Sequence, residues 1–248
     1  MKKVLPHPYV SLLCFVILLL STNVSSSASD PQQKLGNWIG ATSSMRFTYH
    51  WSLFVQGELR TWEMASNLNE LLWRIAIIYD LNKSSLVSIG YVRVDTWPFD
   101  DDLYDKFDEN RFYQEYLIKH NWGKTKLNHR FRVEQRWITT KEYGTEFSSR
   151  LRYKIQFTIP LGKTKVEPGT YFIKALNEIF VDVDRFDYWF DYEERAVGLN
   201  QNRLMVSFGR QMTMLSSLRL GLMWQHRPKA DFARLIVAYS HNLDFRAK

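Results

Sequence analysis

Cysteine is all but missing from this sequence. The single one, Cys14, sits inside an N-terminal apolar run, so residues 29–248 contain no thiol and form no disulfide. Those residues also lack a second apolar run of about 18 residues, which excludes a membrane-crossing helix. No segment among them carries a convincing helical period. Hydrolase signatures are absent too: there is no Gly-x-Ser-x-Gly, and nothing like the His-x-Ser-Asn-Gly of the outer-membrane phospholipase. Beyond the leader the histidines are His50, His120, His129, His226 and His241. Ser240-His241-Asn242 groups suitable residue types, but neighbours on a strand point to opposite faces and cannot form a triad locally. No cofactor is expected.

The N-terminus is informative. Lys2 and Lys3 precede the apolar Val10–Leu20, and residues 21–30 are small and polar. This pattern predicts a secretory signal peptide, residues 1–28, cleaved after Ala28. Leu13 before Cys14 is too large for a lipoprotein signal. An exported protein of a Gram-negative envelope is expected, with residues 29–248 as one β-barrel domain.

Aromatic residues make up 15% of the chain, enough to furnish girdles at both edges of a bilayer. The net charge of +7 would suit nucleic acid, but the basic residues alternate along strand patterns and do not gather in a patch or tail. No nucleic-acid partner is expected.

What the chain has in abundance is period-two alternation. Arg130, Arg132, Glu134 and Arg136 alternate with Phe131, Val133, Gln135 and Trp137. Arg150, Arg152, Lys154 and Gln156 alternate with Leu151, Tyr153, Ile155 and Phe157. Each run is a strand with one charged and one greasy face. Similar segments of ten to thirteen residues follow one another from residue 35 to Phe245, and their length suits tilted bilayer-spanning strands. Connections at 82–84, 123–124, 161–169 and 212–216 read as short, and the intervening ones as longer, acidic and aromatic. The reading is all-β: an antiparallel up-and-down transmembrane β-barrel in the outer membrane. Eleven segments are legible, but single-chain bacterial barrels have even strand numbers. Twelve strands are therefore expected, with ten as second choice and a missing strand placed beside residues 30–47. The final strand ends on Phe245, the kind of aromatic that barrel assembly machinery reads, and outer-membrane lipids are the other expected partner.

Several motifs, in order, carry a resemblance. They are Asn37-Trp38, Arg130-x-Arg132-x-Glu134-x-Arg136, Arg150-Leu151-Arg152-Tyr153, Asn177-Glu178-Ile179-Phe180, Gln201-Asn202-Arg203 and a last hairpin with Gln225. Together they resemble domain-of-unknown-function family 2490, exported bacterial proteins taken to be outer-membrane β-barrels, over roughly residues 36–245. The resemblance implies a fold and a location but no activity, so it transfers no functional residue. The acidic loop 98–109 and the insertion 185–198 look particular to this chain.

The candidate site is the inward charged set: Glu58, Arg60, Glu70, Arg74, Arg130, Arg132, Glu134, Arg136, Arg150, Arg152, Lys154, Arg203 and Arg219. One reading is a cross-strand ion-pair lattice that fills and braces a narrow lumen. The other is an anion-preferring pore, since the central hairpin sets six inward cations against Glu134. Bracing is preferred, because long side chains leave such a barrel little bore. Carboxylates 100–102, 105, 108 and 109 lack the spacing of a preformed calcium loop and read as a solvated loop. The aromatic run Phe186, Tyr188, Trp189, Phe190 and Tyr192 reads as a girdle or loop cluster, with ligand capture as the alternative. An outer-membrane lipid hydrolase and a soluble periplasmic carrier stand as rival functions.

Overall fold

The structure is a computed structural model that describes residues 35–98, 106–184, 186–188, 193–195, 197–228 and 231–246. The expected signal peptide lies outside the described residues, as do Asp100, Asp101, Asp102, Asp105, Trp189, Phe190 and Tyr192. The side chains of Phe186 and Tyr188 are likewise not described.

The described chain is all strand and turn. Its elements are β1 (Gly36–Arg46), β2 (Trp51–Glu63), β3 (Ser66–Asn82), β4 (Ser85–Thr96), β5 (Phe107–Trp122), β6 (Thr125–Thr140) and β7 (Gly144–Pro160). They continue with β8 (Tyr171–Asp182), β9 (Phe186–Tyr188), β10 (Glu193–Arg195), β11 (Gly198–Gln211), β12 (Ser216–His226) and β13 (Asp231–Asp244). Strands β9 and β10 pair only with each other, as a small hairpin between β8 and β11. The other eleven close into one barrel in the order β1-β13-β12-β11-β8-β7-β6-β5-β4-β3-β2.

The strand number corrects the expected twelve (or ten). The eleven segments legible in the alternation are the eleven barrel strands, and no further barrel strand lies beside residues 35–47 among the described residues. Closure explains how an odd number is tolerated. Each hairpin step reverses the chain, so the first and eleventh strands run the same way and must pair in parallel. They do, from Gly36 opposite Arg234 to Arg46 opposite Asp244. Inside the seam, the Thr42 hydroxyl donates to Ser240 Oγ at 3.0 Å. Past the strand ends, the Phe245 N–H donates to the Arg46 carbonyl at 2.8 Å and the Phe47 and Phe245 rings stack 5.7 Å apart. The even-number expectation assumes that both ends of the barrel chain share one side. Here β1 starts at one end and β13 finishes at the other.

Turn lengths are less asymmetric than the sequence suggests. The end where the chain finishes carries connections 47–50, 83–84, 123–124, 161–170 and 212–215. The opposite end carries 64–65, 97–106, 141–143, 183–197 and 227–230, so two of its five connections have only two or three residues. Gly123, at φ 57°, supplies the left-handed residue that the two-residue turn at 123–124 requires. Strand β5 begins earlier than expected, and this brings Asp108 and Glu109 out of the acidic loop and into the sheet.

The two faces of the wall are chemically opposite. Leu71, Ile75 and Ile77 of β3, Val133 of β6, Leu151 of β7, Val206 of β11 and Leu218, Leu220 and Leu222 of β12 are exposed outside. Also outside, an aromatic belt crosses five adjacent strands: Trp73, Tyr91, Phe112, Trp137 and Phe147, with successive ring centroids 5.2–5.9 Å apart. Inside, arginines and glutamates are buried.

The interior also differs along the barrel axis. From the middle towards the start of β1 it is dry, with Leu72, Val92, Val94, Tyr113, Phe180 and Met223 all buried. Gly90 admits the Tyr113 ring to this layer, since a Cβ there would lie 2.5 Å from the ring. Towards the end of β13 the inward Thr42, Ser44, Gln56, Lys174, Ser217 and Arg219 are only half-buried, so solvent enters from that end.

The parallel seam is testable. In a variant free of Cys14, Thr42→Cys with Ser240→Cys is expected to form a disulfide in the folded barrel, since neighbouring strands lie about 4.8 Å apart. The readout is a mobility shift on non-reducing gels that reductant reverses. Failure to crosslink under oxidant would reject the eleven-strand closure.

Candidate functional site: the charged lumen

The lattice is built from one parity of each strand. On β6 the even residues face in, which delivers Arg130, Arg132, Glu134 and Arg136 as a column, and on β7 Arg150, Arg152 and Lys154 form the next. Register then decides who meets whom. Arg150 lies opposite Glu134 and Arg152 opposite Arg132, so Glu134 is flanked from two strands.

Glu134 is fully buried, at 0% exposure. Its Oε2 accepts from Arg150 Nη2 at 2.6 Å and Nε at 3.0 Å, and its Oε1 accepts from Arg152 Nη1 at 2.5 Å. Arg132 Nη1 approaches the same Oε1 at 3.4 Å while its Nη2 donates to Glu115 of β5 at 2.5 Å. Arg152 extends the chain of pairs to Glu178 of β8, which also accepts from Arg130. Arg130 in turn stands 3.5 Å from Glu115. This ring of alternating charge links β5, β6, β7 and β8.

A second group lies nearer the start of β1. Glu109 Oε1 accepts from Arg111 Nε and from Arg136 Nε, each at 2.5 Å, and Arg136 Nη1 stands 3.8 Å from Asp182. On β2 and β3, Arg60 donates to Glu58 at 2.6 Å and to Glu70, with its guanidinium 3.7 Å from the Trp38 ring centroid. Rings add to the carboxylates as partners of the guanidiniums. Tyr113 lies 4.0 Å below Arg132, and Phe180 is approached by Arg152 at 4.3 Å and Arg203 at 4.7 Å.

The sequence-predicted residues divide accordingly. Glu58, Arg60, Glu70, Arg130, Arg132, Glu134, Arg136, Arg150 and Arg152 are joined in ion pairs. Arg74 and Arg203 rest against rings, the former 5.6 Å from Tyr113. Lys154 and Arg219 face inward and appear in no ion pair of the described lattice. Glu109, Arg111, Glu115, Glu178 and Asp182 complete the lattice and were not among the candidates. Their signal was available in parity: 109, 111, 113 and 115 share one face of β5, and 178 and 182 one face of β8. The charge balance changes as a result. The five arginines of the central hairpin meet Glu109, Glu115 and Glu178 as well as Glu134, so the excess that suggested an anion pore is largely neutralised.

The histidines lie apart from this lattice. His226 Nδ1 is 2.6 Å from Asp231, and His129 Nδ1 is 2.7 Å from the Tyr153 hydroxyl. Ser240 hydrogen-bonds Thr42 inside the barrel while His241 contacts Tyr239 outside, so the pair is split across the wall. At the rim, Lys163 donates to Glu167 at 2.7 Å and holds its carboxyl below the usual range.

A family model described as "Protein of unknown function (DUF2490)" matches residues 35–235. The chain belongs to this family. No curated protein and no solved structure matches it. The DUF2490 match begins at β1 and ends within β13, and so takes in every strand that contributes to the lattice.

Removing one partner from a buried pair leaves an uncompensated charge and costs about 3–5 kcal/mol. Glu109→Gln, which strands Arg111 and leaves Arg136 only the more distant Asp182, is expected to lower the unfolding free energy by about that amount in urea titrations in detergent. A residue in a solvated acidic loop would leave the midpoint where it is.

Proposed function

We propose that this DUF2490 protein is an outer-membrane β-barrel with a structural role, its lumen closed by the ion-paired lattice. The inversion of the barrel wall carries the reading. A soluble barrel buries its apolar face, whereas this one turns leucine, isoleucine and valine outward on β3, β6, β7, β11 and β12. Monomeric soluble proteins rarely expose contiguous apolar patches beyond a few hundred Å². Hydrocarbon is the surrounding in which an apolar exterior is stable and every backbone polar group is satisfied within the closed sheet. The aromatic belt on β3–β7 supports the same surrounding, since such rings favour the headgroup level. Strands of 11 to 17 residues reach or exceed the roughly 9–11 that a tilted crossing needs.

Lipids are then the partner of the outer face. The last strand, which ends beside the Phe47–Phe245 stack, is the segment offered to the assembly machinery. The protein acts without catalysis in this reading, because the buried carboxylates are occupied by guanidiniums and unavailable as acid or base. Conduction is equally disfavoured: Glu134, Tyr113 and Phe180 form a dry layer across the lumen.

Two measurements test this. The exported protein is expected in the outer-membrane fraction and extractable only with detergent; recovery from the soluble periplasm would reject the location. In planar bilayers the purified barrel is expected to show no steady conductance, and a stable open channel would reject the closed lumen.

A further inference from the structure

We propose that Lys174 and Arg219 form a binding site for a phosphate-type oxyanion, entered from the end of the barrel where the chain finishes. The proposal concerns the barrel itself and holds in detergent as in a membrane.

Both residues face the lumen, on strands that flank β11. Lys174 of β8 lies opposite Ser207, and Arg219 of β12 lies opposite Gly209, the next inward position of β11. Small residues on β11 bring the two together. A Cβ at Gly209 would come within 2.5 Å of the Phe172 ring and 2.7 Å of Arg219 Cγ, so the ring and the arginine stem fold over the glycine. The ammonium of Lys174 and the guanidinium of Arg219 repel each other.

What sets them apart is the lack of both a partner and a carboxylate opposite them, since Lys154, which makes no ion pair among the described residues either, lies opposite Glu178. Every arginine of the central lattice bonds a carboxylate, Arg74 and Arg203 have rings, and Arg234 lies 5.1 Å from the Phe232 ring and donates to the Ala233 carbonyl. Among the described residues Lys174 and Arg219 make no side-chain hydrogen bond, ion pair or ring contact. The neighbouring inward positions are Thr158, Ser207, Ser217, Ala238 and Ser240, which bring hydroxyls and small side chains but no carboxylate. Across the mouth, Asp80 takes Arg46 at 2.8 Å and Lys119 at 3.5 Å.

Two enclosed like charges destabilise the fold unless something compensates them. Solvent reaches both, so an incoming anion can. A dianionic oxyanion matches two positive charges. Arginine meets two of its oxygens in a planar fork, lysine supplies a point charge, and nearby hydroxyls have donors to offer. Phe172 and Leu176, inward neighbours of Lys174 on β8, present an apolar wall to whatever group the phosphate carries. The shared ligand chemistry is the phosphate group, free or esterified.

Calorimetric titration of the detergent-folded barrel at low salt with inorganic phosphate, and separately with glycerol phosphate, tests this. Saturable binding of at least one is expected, weakened about tenfold or more in Lys174→Gln and in Arg219→Gln. It is expected to be unchanged in Lys163→Gln at the rim. Equal affinities would identify the phosphate group alone as the ligand, and tighter binding of the ester would bring in the apolar wall. No saturable binding of either compound, or undiminished binding by both variants, would overturn the site. Melting without ligand is a second readout. Lys174→Gln is expected to hold or raise the melting temperature, and a fall would make Lys174 a brace and overturn the proposal.

Discussion

The structure depends on one carboxylate held by three arginines from two strands. Glu134 has no exposure to water, and Arg132, Arg150 and Arg152 supply its hydrogen bonds. A buried charge is tolerated only when paired and hydrogen-bonded, and here each arginine that satisfies Glu134 needs further acceptors of its own. Arg132 finds Glu115 and Arg152 finds Glu178, so one buried pair propagates into a network that crosses four strands. With the interior filled this way, the apolar residues have only the outer face left. The inverted wall and the filled lumen are two consequences of one packing solution.

Much of this was legible in the residues. Alternation alone delimits the eleven barrel strands to within a few positions, because a side-chain period of two leaves little freedom in assigning faces. Parity also places all thirteen candidate charges inside. The failures have physical causes. The even strand number is a rule about where termini lie, and the parallel β1–β13 seam escapes it. Glu109 reads as part of the acidic loop because it follows Asp108 and the aspartates before it, although its parity with Arg111 and Tyr113 marks it as inward. Pairing partners were the least accessible level. That Arg132 meets Glu115 and Arg130 meets Glu178 follows from register between strands, which no single strand encodes.

The lumen therefore has two chemistries. Where carboxylates balance arginines it is dry. Where they give out, around Lys174 and Arg219, it is lined by small residues and wet. A barrel braced throughout would have no reason to keep cations in its wet end, and a channel would have no reason to close the other. A one-ended pocket on a closed frame accommodates both observations.

The lattice itself is most directly probed by a double-mutant cycle on Glu134 and Arg152, with unfolding free energies read from urea titrations of Glu134→Gln, Arg152→Met and the double variant. Each single change strands a buried partner, whereas the double change removes both. A coupling energy on the order of 2 kcal/mol, with the double variant less destabilised than the sum, is the expected result. Additive effects would contradict an interior held by paired charge.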